Sequence, residues 1–236
     1  MLVYGFMLSK KIELSDRSTH ALVGKGPPIV FSSGLYGIMP SFMYTKLVDR
    51  LKTRFTVVLP NGKPIMDKTI HEIANALNVD KVGFLSHSSF DKSILKSEYV
   101  FKAVCIDPMS LSDISFPSLQ VPSISSSMNV LVIKTQKSQE SNIPFIPFEY
   151  ALDIQNAYRV KYDDIGHADI LDNSWASFAD RIGIRGYDTS KSKNKQFFRD
   201  WVFQTNKQDG TGEQRDLIVD DIIAHFSETS IIPHTM

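Results

Sequence analysis

The chain has 236 residues, 42% of them hydrophobic and 22% charged, which fits one large α/β domain with a sizeable core. Lys plus Arg and Asp plus Glu both number 26, a balance that removes any global attraction to nucleic acid or anionic membrane. The single cysteine, Cys105, excludes an internal disulfide, and within Val104-Cys105-Ile106 it reads as a buried strand thiol.

The apolar start, Met1 to Leu8, lacks a basic leader and a small-residue cleavage site, and Lys10, Lys11, Glu13 and Asp16 follow it. No apolar run approaches the ~18 residues of a membrane span. The expectation is an intracellular soluble protein, in cytoplasm or organelle. Val3 to Leu14 reads as one or two strands, and Pro28-Ile29-Val30-Phe31 as a strand ending in a Ser32-Ser33-Gly34 turn. Phe42, Leu47, Val48 and Leu51 have helical spacing. Phe55 to Leu59 is a buried strand stopped by Pro60. Asp67 to Leu77 is a helix with Ile70, Ile73, Ala74 and Leu77 on one face and Asp67 as its cap. Further strands are expected at Lys81–Leu85, Phe101–Ile106, Asn129–Ile133 and Ala157–Tyr162, and a closing helix at Gln214–Phe226.

Short β-branched strands alternating with helices predict a mostly parallel central sheet covered by helices on both faces. Two stretches interrupt the alternation. Ser110 to Met128 is rich in Ser and Pro and reads as a surface loop; residues 171–212 form a long polar insertion before the closing helix. The expectation is a single domain over residues 1–236 carrying that insertion.

The strand Val82 to Leu85 runs into Ser86-His87-Ser88-Ser89-Phe90. A nucleophile elbow needs a serine on a sharp turn after a strand, so that its hydroxyl stands above the sheet and the next backbone N–H faces the developing oxyanion. The usual form is Gly-x-Ser-x-Gly; Ser86 and Phe90 replace the two glycines. His167, in Asp163-Asp164-Ile165-Gly166-His167-Ala168-Asp169, follows the strand ending at Tyr162, where a base could reach Ser88 from a neighbouring strand end. His87 beside the elbow reads as packing. Asp107 ends the strand Phe101 to Ile106 and is a candidate acid; Glu140, in the loop after Ile133, is the alternative. Asp169 and Asp172 read as shaping the turn after His167. The loop Ser32-Ser33-Gly34-Leu35-Tyr36-Gly37 supplies a second oxyanion donor, so the Leu35 and Ser89 N–H groups form the expected oxyanion hole.

These segments resemble the chlorophyllase-like branch of the α/β-hydrolases over roughly residues 27–226. Pro28 to Gly37 is similar to that branch's oxyanion strand and loop, Lys102 to Pro108 to its strand ending in Asp-Pro, and Gly166 to Asp172 to its Gly-His-x-Asp-x-Leu-Asp segment. The resemblance implies an α/β-hydrolase fold with Ser88, Asp107 and His167 as the triad, and so favours Asp107 over Glu140. It implies a serine esterase acting on a small-molecule carboxylic ester with an apolar part, needing neither cofactor nor metal. The departures at Ser86 and Phe90, and a short segment after the elbow, motivate the alternative: a hydrolase-fold protein that binds a ligand or partner without catalysis.

Overall fold

Among the described residues, eight strands hydrogen-bond into one sheet. The computed structural model describes residues 10–16, 18–34, 40–59, 64–109, 123–126, 128–135, 153–162, 165, 170–172 and 211–228. In chain order the strands are β1 (Lys10–Glu13), β2 (Thr19–Gly24), β3 (Pro28–Ser32), β4 (Thr56–Leu59), β5 (Val82–Ser89), β6 (Val100–Met109), β7 (Ser123–Ser125), β8 (Asn129–Thr135), β9 (Asp153–Gln155) and β10 (Tyr158–Tyr162). Among the described residues the α-helices are α1 (Thr45–Leu51), α2 (Asp67–Leu77) and α3 (Thr211–Ser227). The sheet order is β1-β2-β4-β3-β5-β6-β8-β10, and β7 pairs with β9 apart from it. β2 runs antiparallel to β1 and β4, and every other pairing in the large sheet is parallel.

The alternation along the strands explains the two layers. Ile29 and Phe31, Leu85, Val104 and Ile106, and Leu131 and Ile133 join one core with α1 and α3. Val30, Phe84, Ala103, Cys105, Val130 and Val132 join the other with α2. Helices therefore cover both faces, as the pattern of short apolar strands requires. Gly83 sits where β5 passes under α3: a Cβ there would lie 2.8 Å from the Phe226 ring.

Several details differ from the sequence reading. β2 was not foreseen, because Thr19-His20-Ala21-Leu22 alternates weakly and contains His20, which is buried on that strand. The helix expected from Phe42 begins as a 3-10 turn over Ser41–Tyr44 and becomes α-helical at Thr45. Met66, not Asp67, is the N-cap of α2, and its N–H donates to the Thr69 hydroxyl at 3.4 Å. Asp67 instead stands in the first turn, where a carboxylate suits the helix dipole. The Ser/Pro-rich stretch contains β7. Among the described residues, no helix is long and apolar enough to cross a membrane.

Candidate functional site

The C-terminal ends of β3, β5, β6 and β8 lie side by side in the middle of the sheet. β5 continues as strand through the proposed elbow to Ser89, and its pairing with β6 breaks there: His87 faces Ile106 and Ser89 faces Met109. One residue, Ser88, therefore stands opposite two, Asp107 and Pro108. Bulges of this kind re-aim side chains and recur beside active sites. Ser88 has φ 65° and Asp107 φ 44°, both in the left-handed region that L-residues rarely adopt. Two such residues facing each other at one strand end are a local strain that the surrounding sheet must hold in place. Ser88 is half-buried and Asp107 is buried.

The Asp107 carboxylate is held by the last residue of β8. The Thr135 N–H donates to Oδ1 at 2.8 Å and the Thr135 hydroxyl to Oδ2 at 2.7 Å. Sequence reading missed Thr135, placing it in the loop after Ile133. Its signal was its place one strand over from Asp107, legible only once the strand order is known.

A second cluster sits on the α1 side. The Gly34 N–H donates to the Tyr44 hydroxyl at 3.1 Å, and that hydroxyl lies 2.8 Å from His87 Nδ1. The Tyr44 ring meets Phe31 edge-on at 5.0 Å and His87 at 5.6 Å. Burial pushes the Tyr44 phenol well above its ordinary pKa, only partly offset by the Gly34 hydrogen bond, so it keeps its proton. Sequence reading did not single out Tyr44, and helical spacing gives no partner for its hydroxyl, which a buried tyrosine requires.

Asp172 does something the sequence did not suggest. Its Oδ2 accepts from Thr45 N–H and its Oδ1 from Lys46 N–H, both at 3.0 Å, while its own N–H donates to Met43 O at 2.8 Å. It caps α1 and ties its own segment to the chain leaving the Ser32 to Gly37 loop.

Phe90, in place of the second elbow glycine, is buried on the α2 face, its ring 5.6 Å from that of Phe84. Below the elbow, Ser32, Ser86 and Cys105 pair laterally across β3, β5 and β6, all small. Burial raises the Cys105 thiol to about 12, slightly offset by the Ser86 hydroxyl, so this sulfur is an inert core atom. The helix after the elbow is reduced to a 3-10 segment of 5 residues, Lys92–Lys96, capped by the Asp91 side chain on Ser93 N–H.

Leu35, Glu140 and His167 lie outside the described residues, and of Ser89 only the backbone is described. Among the described residues, no three His, Cys, Asp or Glu side chains gather closely enough to hold a metal ion.

The strand order, the antiparallel second strand and the helices on both faces make this the α/β-hydrolase fold. Similar solved structures include an epoxide hydrolase of the α/β-hydrolase superfamily from hot-environment metagenomes, 12% identical at TM-score 0.47, matched over 76% of this chain and 97% of that one. An α/β-fold hydrolase from Bacillus anthracis str. Sterne is 13% identical at TM-score 0.45, over 75% of this chain and 98% of that one. An epoxide hydrolase from Vigna radiata is 15% identical at TM-score 0.34, and the match spans 42% of this chain and only 39% of that protein. At these scores the likenesses add nothing about substrate, and they lend the chlorophyllase-like resemblance no support. No protein-family model and no curated protein matches the chain.

Proposed function

We propose that the chain is a serine hydrolase that cleaves a carboxylic ester with an apolar part through an acyl-enzyme. Ser88 attacks the acyl carbon, His167 takes its proton, and Asp107 orients and charge-balances the imidazole. The Leu35 and Ser89 N–H groups receive the oxyanion. The reading is carried by the left-handed backbone of Ser88 at the end of β5, with Asp107 across the bulge at the end of β6. A carboxylate has about four acceptor positions, so two hydrogen bonds from Thr135 are compatible with a third from an imidazole. The chlorophyllase-like resemblance, on which the ester assignment rests, belongs to the same proposal, as do a single domain over residues 1–236 and a small-molecule substrate.

Exposure to a fluorophosphonate probe tests the reading. The wild-type chain should be labelled on Ser88 and should hydrolyse short p-nitrophenyl esters; Ser88→Ala should lose both. Labelling of neither, by a folded protein, would sink the enzymatic reading.

A second reading, a fold that binds a ligand without catalysis, draws on the loss of both elbow glycines and the five-residue 3-10 segment behind the serine. The burial of Phe90 in the core beneath the sheet weighs against it, because the ring that replaces the second glycine fills core volume.

A further inference from the structure

Three loops meet around residues 43–46. The oxyanion loop arrives through Gly34, whose N–H is bound by the Tyr44 hydroxyl. The elbow arrives through His87, whose Nδ1 lies 2.8 Å from the same hydroxyl. The histidine segment arrives through Asp172, which grips Thr45 and Lys46. We propose that Tyr44 is a positioning residue for the oxyanion hole, its single hydroxyl setting the distance between the loop that carries Leu35 and the strand end that carries Ser88. This inference rests on the serine-hydrolase reading above.

The chemistry follows from what one phenol can do. Gly34 N–H is committed to Tyr44, which leaves the oxyanion role in that loop to the proposed donor, the Leu35 amide. Nδ1 of His87 either accepts the phenol proton or donates its own; both tautomers satisfy the pair, so the clasp holds whichever nitrogen is protonated. Tyr44, Gly34 and His87 are all buried, which keeps water from competing for these bonds. An oxyanion donor acts mainly in the transition state, so misplacing it lowers turnover more than ground-state binding.

Tyr44→Phe keeps the ring against Phe31 and removes only the hydroxyl. Its fluorophosphonate labelling and its kcat on p-nitrophenyl butyrate should fall about 10-fold or more, with KM within roughly twofold of wild type. Slow amide exchange at Gly34 should be lost in the variant while β5 amides stay protected. Labelling, kcat and Gly34 exchange all at wild-type values in Tyr44→Phe overturn the proposal, as does a uniform rise in KM alone. The wild-type chain gives a check that needs no variant to fold: a Gly34 amide exchanging as fast as an open loop overturns the clasp. A wild-type protein that is never labelled removes the hydrolase reading instead, and Gly34 exchange then decides the clasp by itself.

Discussion

Asp107 is buried, carries a left-handed backbone and meets Thr135 with both carboxylate oxygens. A buried carboxylate is costly without such partners, and a hydrogen bond to a charged group contributes about 1.5–3 kcal/mol. Thr135→Val keeps the side-chain shape and the backbone N–H but deletes the hydroxyl donor to Oδ2. The expected loss of stability is about 1.5–3 kcal/mol, read as a lower urea midpoint at unchanged m-value. An unchanged midpoint would mean that the Thr135 hydroxyl does not hold the acid. The threonine escaped sequence reading because its partner is 28 positions away and joined only by strand order. The elbow read at Ser88 requires a sharp turn after an apolar strand, and Ser88 has a positive φ there. His167 was singled out by its place after the strand ending at Tyr162 and by the Gly166 to Asp172 resemblance, and it lies outside the described residues.

At the scale of elements, most strands and helices could be read because apolar runs and helical spacing respond to burial directly. What could not be read were the devices that join elements across the chain. Lys102 is one of them: a lysine inside the apolar run of β6 looks like an exposed position, yet it is buried. Its ammonium donates to His225 O and Glu228 O, both at 2.7 Å, and so closes the C-terminal end of α3. Carbonyls at a helix end have no intrahelical partner, and a cation there also suits the dipole. Lys102→Met fits the space but leaves those carbonyls without this donor, while it relieves the cost of burying an ammonium. The unmatched carbonyls are expected to dominate, for a net loss of about 1–3 kcal/mol in urea unfolding. A variant as stable as wild type would show that desolvation of the charge cancels the cap.

For the whole molecule, the sequence predicted a parallel sheet with helices on both faces, and the eight-strand order has that form. The strand β2 and the small β7–β9 pair were hidden, because short strands with polar residues carry little periodic signal. Closing the sheet with α3 also places His225 inside the fold, and this gives stability a pH dependence. Burial is the main cause that lowers its pKa below 6.5, and the Lys102 charge lowers it further; backbone hydrogen bonds at Asn129 and Ala103 and the Glu228 carboxylate act the other way. The unfolded chain therefore binds a proton on His225 more readily than the folded one. Stability is then fully present above about pH 6.5, the ordinary histidine value, and declines as pH falls from there towards the lower folded-state pKa. Urea unfolding at pH 7.5 and 5.5 measures that decline. His225→Leu should lose the part of it that histidine contributes, leaving a smaller difference between the two conditions than in wild type. Lys102→Met should also shrink the difference, since it removes the charge that disfavours the imidazolium. An identical pH dependence in wild type and His225→Leu would rule out this histidine as the source.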